Sequence, residues 1–332
     1  MNTQTKFFRY FITIAQTALF LALVVSAGMG CQAEPATSAE APYPTESITY
    51  LIPFDPGGQS DRVARLQTSY LKSILGQEIT IDYKPGDGGA LAWAEVAKLR
   101  PADGYTIVAV NLPHIVLQPM FSGADYQTDQ LETIAIFGRT PIGLAVLKSS
   151  PYQTLEEFIA AAKAKPGELT IAGFSEHTGV HMAFLLLQKV TGAEFKYVPH
   201  TGSAPQMTAF LGGNTDAVIA NSDDLLNNQE QVRVLAMAEE FADLPDAPTF
   251  KEKGIDMSLV AGTDRSVAVR AGTPEHIVQK LEAAFMEIAN NPEFQAAMKE
   301  QGFVPLAMGR AETKTYIENM KTTYQQLADL AK

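Results

Sequence analysis

Short runs of β-branched and aromatic residues alternate along this chain with longer segments whose apolar residues recur at helical spacing. Strand-like runs fall at 49–54, 78–83, 106–110, 143–147, 170–172, 195–198, 217–220, 232–236 and 266–269. Helical periods fall at 61–75, 91–99, 155–163, 180–191, 205–211, 274–290, 292–301 and 311–330. In the first of these, Val63, Leu66, Tyr70, Leu71 and Ile74 share one face. The alternation predicts an α/β protein with parallel sheets covered by helices on both faces. Glycine-bearing turns recur where strands end, at 55–60, 85–90 and 200–204, which is where open α/β sheets bind ligands.

The stretch TYLIPFDPGGQSDRVAR, residues 49–65, is the most telling of these turns. Gly57 and Gly58 permit close backbone approach and positive φ, and Ser60 or Asp61 is positioned to cap the helix that follows. A strand, a glycine loop and a helix start together offer backbone N–H groups to a phosphate or a carboxylate. The loop lacks the Lys-Ser/Thr ending of a P-loop, and no G-x-G-x-x-G follows a strand, so a nucleotide site is disfavoured. The run Gly173-Phe174-Ser175-Glu176-His177 nearly spells a hydrolase nucleophile elbow, but His177 stands where the turn needs glycine. His177 and His181 have metal-ligand spacing that Glu176 and His200 could extend, yet no cysteine or third close ligand completes the set. His181 reads better as a hydrogen-bonded structural histidine.

Composition adds compartment and charge. Hydrophobic residues make up 46% and charged residues 19% of the 332, which fits a folded chain. Residues 1–30 read as a signal peptide, with Lys6 and Arg9 ahead of an apolar stretch and small residues after it. Cys31, the only cysteine, precludes an intrachain disulfide. It is placed for lipidation after Gly30, although Gly28 departs from the Leu usual in that motif; simple cleavage near Gly30 or Ala33 is the alternative. Residues 31–47 read as a tether. The net charge of −12 becomes −14 without Lys6 and Arg9, which argues against nucleic-acid binding.

Five segments, in order, resemble the extracytoplasmic solute-binding proteins of the tripartite tricarboxylate transporter type, the TctC or Bug receptor family. IPFDPGGQSDRVAR is similar to that family's first ligand loop, and KPGDGGALAWAEVAKLRPADGYTI to its second loop, helix and turn. VPHTGSAPQMTAFLGGNTDAV, LPDAPTFKEKGID and VRAGTPEHIVQKLEAAF follow suit, so the likeness spans about residues 48–327. It implies an α/β, periplasmic-binding-protein-like fold of type II: two doubly wound lobes, a ligand cleft and two crossing strands. Lobe 1 would comprise 48–147 and 262–332, and lobe 2 would comprise 148–261. The implied function is to bind a small carboxylate, without chemistry or cofactor, and deliver it to membrane permease subunits. The protein would act as a monomer in the periplasm or on the outer membrane face.

Carried over by position, the proximal ligand residues are Phe54, Asp55, Pro56, Gly57, Gly58, Gln59, Ser60 and Asp61, with Gly88 and Gly89 from the second loop. Distal candidates are Ser175, His177, Thr178, Thr201, Gly202, Ser203 and Asn221. Asn111 and His114 follow a strand and are candidates to face the cleft. Arg265 stands where many members carry an aromatic residue; it either holds a carboxylate or pairs with Asp264 or another acid near the crossing. Asp55 either turns away to cap backbone N–H groups or faces a ligand bearing a cationic or hydroxyl group. Two other functions compete with the transport receptor: an envelope hydrolase using Ser175 with His177 or His181, and a sensor receptor for a membrane kinase.

Overall fold

Three strands with every second side chain turned to the same layer form the start of the first sheet. They are β1 (Ile48–Ile52), β2 (Ile79–Tyr83) and β3 (Thr106–Leu112), parallel in the order β2-β1-β3. The computed structural model describes residues 42–326. The expected signal peptide, Cys31 and most of the tether lie outside the described residues. The sheet continues through β9 (Gly262–Arg270) to β4 (Leu131–Leu147), both antiparallel to their neighbours, with β10 (Val304–Met308) antiparallel on the far side of β4.

Strand β4 joins this sheet to a second one. Pro141, which has no N–H for a ladder, is its last residue paired with β9, and Ile142 is its first paired with β7 (Ala217–Asn221). β8 (Val232–Met237) also lies antiparallel on this half of β4, while β5 (Thr170–Phe174) runs parallel to both β7 and β6 (Lys196–His200). The sheets are therefore mixed rather than parallel, because the strands that cross and return must run against the wound ones. The expected strand at 143–147 is only the second half of β4. Its first half carries Gly138, Arg139 and Pro141, weak strand formers that nevertheless pair with β9 in unbroken register, after two register shifts at Thr133/Ala135 and Ile136/Gly138.

Helices cover both faces: α1 (Gln59–Leu75), α2 (Ala90–Lys98), α3 (His114–Phe121), α4 (Leu155–Ala164), α5 (Gly179–Thr191), α6 (Ser203–Leu211), α7 (Ser222–Asn227), α8 (Glu275–Ala289), α9 (Pro292–Glu300) and α10 (Arg310–Gln326). Alternation along each strand divides its residues between two layers. Ile48, Tyr50 and Ile52 of β1 join Ile107 and Ala109 of β3 in the core beneath α1 and α8. Leu51, Val108 and Val110 face the opposite core with Trp93, and that core runs on through Ile142, Leu144, Ile171 and Ile219 into the second sheet. Val218, Ala220 and Ala172 turn to a third cluster with Phe210 of α6. Helix α3 escapes sequence detection because it is short and carries Pro119. The six-residue α7 and the half-buried β10 lack a clear period.

The end of the expected tether is docked. Tyr43 is buried, its hydroxyl donates to the Gly104 carbonyl at 2.7 Å, and its ring meets Tyr105 edge-on at 5.1 Å. Burial of that ring and its hydrogen bond favour ordering a stretch whose composition otherwise reads as a linker.

One close approach ties α7 to the first sheet. Gly302 has φ 81°, and a Cβ there would fall 2.5 Å from the Asp223 Cα, while its carbonyl accepts the Ser222 hydroxyl at 2.7 Å. Gly302→Ala should lower the unfolding free energy by about 1–3 kcal/mol in urea titrations, the cost of a strained backbone position. An unchanged midpoint would show that α7 is free to shift.

Candidate functional site

The first glycine loop ends at α1, whose N-cap is Gly58 rather than Ser60 or Asp61, since the helix already begins at Gln59. Asp61 sits in the first turn and reaches back: one carboxylate oxygen accepts the Gly57 N–H at 2.8 Å, the other the Tyr83 hydroxyl at 2.7 Å and Arg65 Nε at 2.9 Å. Burial pushes its pKa up, but these three donors outweigh it and hold the carboxyl below the ordinary range. Gly57 supplies the left-handed turn, φ 80°, that brings its N–H round to Asp61. Asp55 does a different job. Its side chain lines a cavity and accepts the Thr201 hydroxyl at 2.9 Å, so Asp61, not Asp55, caps the loop.

That cavity, about 20 Å³, lies between the two sheets' loops. Phe54, Asp55, Gly58, Gln59 and Ser60 form one wall, Asn111, His114 and Arg265 another, and Phe174, Gly202, Ser203, Ala204 and Pro205 a third. The N-termini of α1 and α6 both open on it, and neither N-cap glycine offers a side-chain bond. Their partly unsatisfied N–H groups and aligned dipoles make the space favourable to an anion.

Arg265 lies within this wall, 3% exposed. It donates through Nη2 to Gln59 Oε1 and, at 2.8 Å, to Thr140 Oγ1, and its guanidinium sits 6.0 Å from the Phe303 ring centroid. Burial lowers its pKa to about 10, with Asp223 and Asp224 pulling the other way, so it is a cation at neutral pH. Asp264 is not its partner. Adjacent residues on a strand face opposite ways, and Asp264 turns to the other side, where Arg139 Nε donates at 2.6 Å and the Tyr316 hydroxyl at 2.7 Å.

Gln59 links the sheets. Its Nε2 donates to Asp223 Oδ1 at 2.6 Å and Asp224 Oδ2 at 2.8 Å, while its Oε1 accepts from Asn221 Nδ2 at 3.0 Å as well as from Arg265. Arg62 pairs with the other oxygen of Asp223. No motif in the sequence marks Asp223, Asp224, Arg62 or Thr140 as part of the site. The only hint is an Asp-Asp pair just after a strand. Asp224 is buried beside Asp223, and burial, then that neighbouring charge, raises its carboxyl pKa well above the ordinary 3.8.

His114, the first residue of α3, is fully buried, and neither ring nitrogen has a protein partner. Phe54 and Trp93 meet its ring edge-on at 6.4 Å each, and Trp93 is pinned by its Nε1–H to the Ala109 carbonyl at 2.9 Å. Burial and the Arg265 charge lower its pKa to about 3, so the imidazole is neutral.

Several expected positions lie beside rather than on this cavity. Pro56, Gly57 and Thr201 belong to its flanking loops, Asp61 to the first turn of α1, Gly89 packs under Trp93, and Asn221 stands behind Gln59. Gly88 abuts the β5–α5 turn: a Cβ there would fall 3.1 Å from Thr178 Cγ2 and 3.3 Å from Ser175 Cβ. Thr178 caps α5 by accepting the His181 N–H at 3.3 Å. Ser175 and His177 line a more open groove of about 710 Å³ with Asp87, Gln118 and Glu176. The Ser175 hydroxyl donates to the His200 carbonyl at 3.4 Å, and His181 Nδ1 accepts the His177 N–H at 3.2 Å, so the serine faces a carbonyl instead of an imidazole. Among the described residues no group of three or more His, Cys, Asp or Glu side chains is arranged to hold a metal.

Two sheets joined by the crossing strand β4, with loop-borne helix N-termini around one cavity, define a periplasmic-binding-protein-like fold. Residues 63–329 match the model of the tripartite tricarboxylate transporter family receptor, and the chain belongs to that family. The UPF0065 protein in the gbd 5' region of Cupriavidus necator is 30% identical over 305 residues, 90% of each chain. Protein BugT of Bordetella pertussis is 28% identical over 282 residues, 83% of this chain and 86% of its own. An R. palustris protein solved with adipate superposes with a TM-score of 0.80 at 27% identity, over 87% of this chain and 98% of its own. MatC from Rhodopseudomonas palustris, solved with bound malate, gives 0.78 at 25%, over 87% and 100%.

A carboxyl whose pKa rises on folding contributes stability below its unfolded value, and the contribution is lost as pH rises through the folded value. Asp224→Asn cannot ionise but keeps an oxygen for Gln59. It should therefore raise Tm at pH 8 by about 2–4 °C, the size of a 1 kcal/mol change in a domain this large. The gain should shrink as the pH is lowered toward 4. A Tm loss of equal size at both pH values would show that Asp224 is a firmly held carboxylate.

Proposed function

We propose that this protein is an extracytoplasmic receptor that binds a small carboxylate between two α/β lobes and delivers it to a tripartite tricarboxylate-type membrane transporter. The observation that carries the reading is the convergence of two helix N-termini, α1 and α6, with the buried Arg265 guanidinium on one cavity. Each favours a negative group, and Arg265 supplies a directional fork for a carboxylate. Relatives solved with adipate and with malate support the same ligand class.

The lobes, expected at 48–147 with 262–332 and at 148–261, would divide instead where β4 changes partners at Pro141 and Ile142, since 142–147 pair with β7 and β8 of the second sheet, and that point is the natural hinge. A space of about 20 Å³ holds roughly one water. A carboxylate must enter by parting the walls, which separates Thr201 from Asp55 and leaves the ligand enclosed on closing. The ligand is released unchanged, a reading supported by the Ser175 hydroxyl's turn toward a backbone carbonyl. The receptor acts as a monomer in the periplasm or on the outer membrane face, either cleaved after its signal sequence or anchored through Cys31. Among the described residues no helix is long and apolar enough to cross a membrane.

A thermal-shift screen over mono-, di- and tricarboxylates, amino acids and aromatic acids tests this. A carboxylate at a hundred times its Kd should stabilise by about 2.7 kcal/mol. In calorimetry Arg265→Gln should weaken it by about 1.5–3 kcal/mol, the range for a hydrogen bond to a charged group. If no carboxylate raises Tm, or if ester or amide substrates are turned over, the receptor reading fails. Loss of uptake on deleting the protein would separate a transport receptor from a sensor.

A further inference from the structure

We infer that His114 makes this site selective for a hydroxycarboxylate over the corresponding unsubstituted carboxylate, an inference that rests on the carboxylate-receptor reading above. Nearly all buried polar groups in proteins have hydrogen-bond partners. His114 is 0% exposed, lines the cavity, and has none on either ring nitrogen. It cannot swing to find one, because Phe54 and Trp93 hold its ring from two sides and Trp93 is itself fixed to the Ala109 carbonyl. Leaving both nitrogens unpaired in the ligand-bound protein would carry the full desolvation penalty.

A neutral imidazole offers one N–H donor and one lone pair. A carboxylate oxygen, an acceptor only, can use the donor and is repelled by the lone pair. A hydroxyl both donates and accepts, so it pairs with whichever nitrogen faces it. The rest of the wall agrees. Arg265 Nε has no protein partner and is free to donate to the carboxylate, whereas the Asp55 carboxylate across the cavity accepts only and would repel a ligand made solely of acceptors. A hydroxyl supplies the missing donor. An ammonium would supply one too, but as a second cation in the same wall space as the Arg265 guanidinium, a costly pairing in a poorly screened cavity.

Calorimetry with matched sets decides the matter: lactate, propionate and alanine, then 2-hydroxysuccinate, succinate and aspartate, extended to whichever chain length binds in the screen. The wild type should bind the hydroxy acid at least about tenfold tighter than its unsubstituted partner, the scale of one satisfied buried hydrogen bond. His114→Phe keeps a flat ring without nitrogens and should bring that ratio close to one by weakening the hydroxy acid alone. His114→Asn restores a donor and an acceptor and should recover part of the preference, which also serves if the phenylalanine variant does not fold by circular dichroism. Equal wild-type affinities, a stronger preference for the amino acid, or a ratio untouched in the folded variants overturns the inference while leaving the receptor reading in place. If no carboxylate of any length binds, the receptor reading falls first and this inference with it.

Discussion

A buried guanidinium has to be neutralised and hydrogen-bonded where it stands, and Arg265 imposes that demand at the junction of the two sheets. Its strand, β9, cannot meet the demand alone, since the neighbouring Asp264 side chain leaves by the opposite face. Its hydrogen-bond partners come instead from α1 (Gln59) and β4 (Thr140), while Asp223 at the start of α7, itself held by Gln59 and Arg62, supplies opposite charge. Charges removed from water are costly singly and tolerable as a closed set, so these elements hold one another in register. The close approach of Gly302 to Asp223 then locks α7 against the first sheet.

The opposite rim of the cavity is built differently. There the Asp55 carboxylate and the Thr201 hydroxyl meet in one exposed hydrogen bond, worth about 1 kcal/mol or less in water. One side of the site is thus a buried polar network beside the strand where β4 changes sheets, and the other is a light contact between loop tips. The proposed receptor cycle would use that asymmetry, opening at the light side and pivoting at the heavy one. It needs no further device: the ligand's own contacts replace the Asp55–Thr201 bond and hold the walls together.

Local pattern made much of this legible. The runs of β-branched and aromatic residues located β1, β2, β5, β6, β7 and β8 within a residue or two, because each is short and flanked by turn residues. The glycine turns at 55–60 and 200–204 marked strand ends that border the cavity, whereas the one at 85–90 lines the neighbouring groove. Phe54, Asp55, Gly58, Gln59, Ser60, Asn111, His114, Gly202, Ser203 and Arg265 all line the cavity. The errors have physical causes as well. The first half of β4 has Gly, Arg and Pro in a strand stabilised by neighbours on both edges, which no local propensity records. Asp61 rather than Asp55 caps the first loop because the helix starts two residues earlier than its apolar face suggests.

By itself the sequence determined the α/β class, the order of the elements, the glycine loops and the family, since all are written in periodicity and in motifs a few residues long. Only the tertiary structure decided that Arg265 answers to Gln59 and Thr140, that Asp223 and Asp224 sit beneath the site, and that His114 faces the cavity with its nitrogens unpaired. Those facts depend on which faces meet across separations of more than a hundred residues. A side chain's charge and hydrogen-bonding state are set by the neighbours that burial brings to it, and the linear chain does not carry that information.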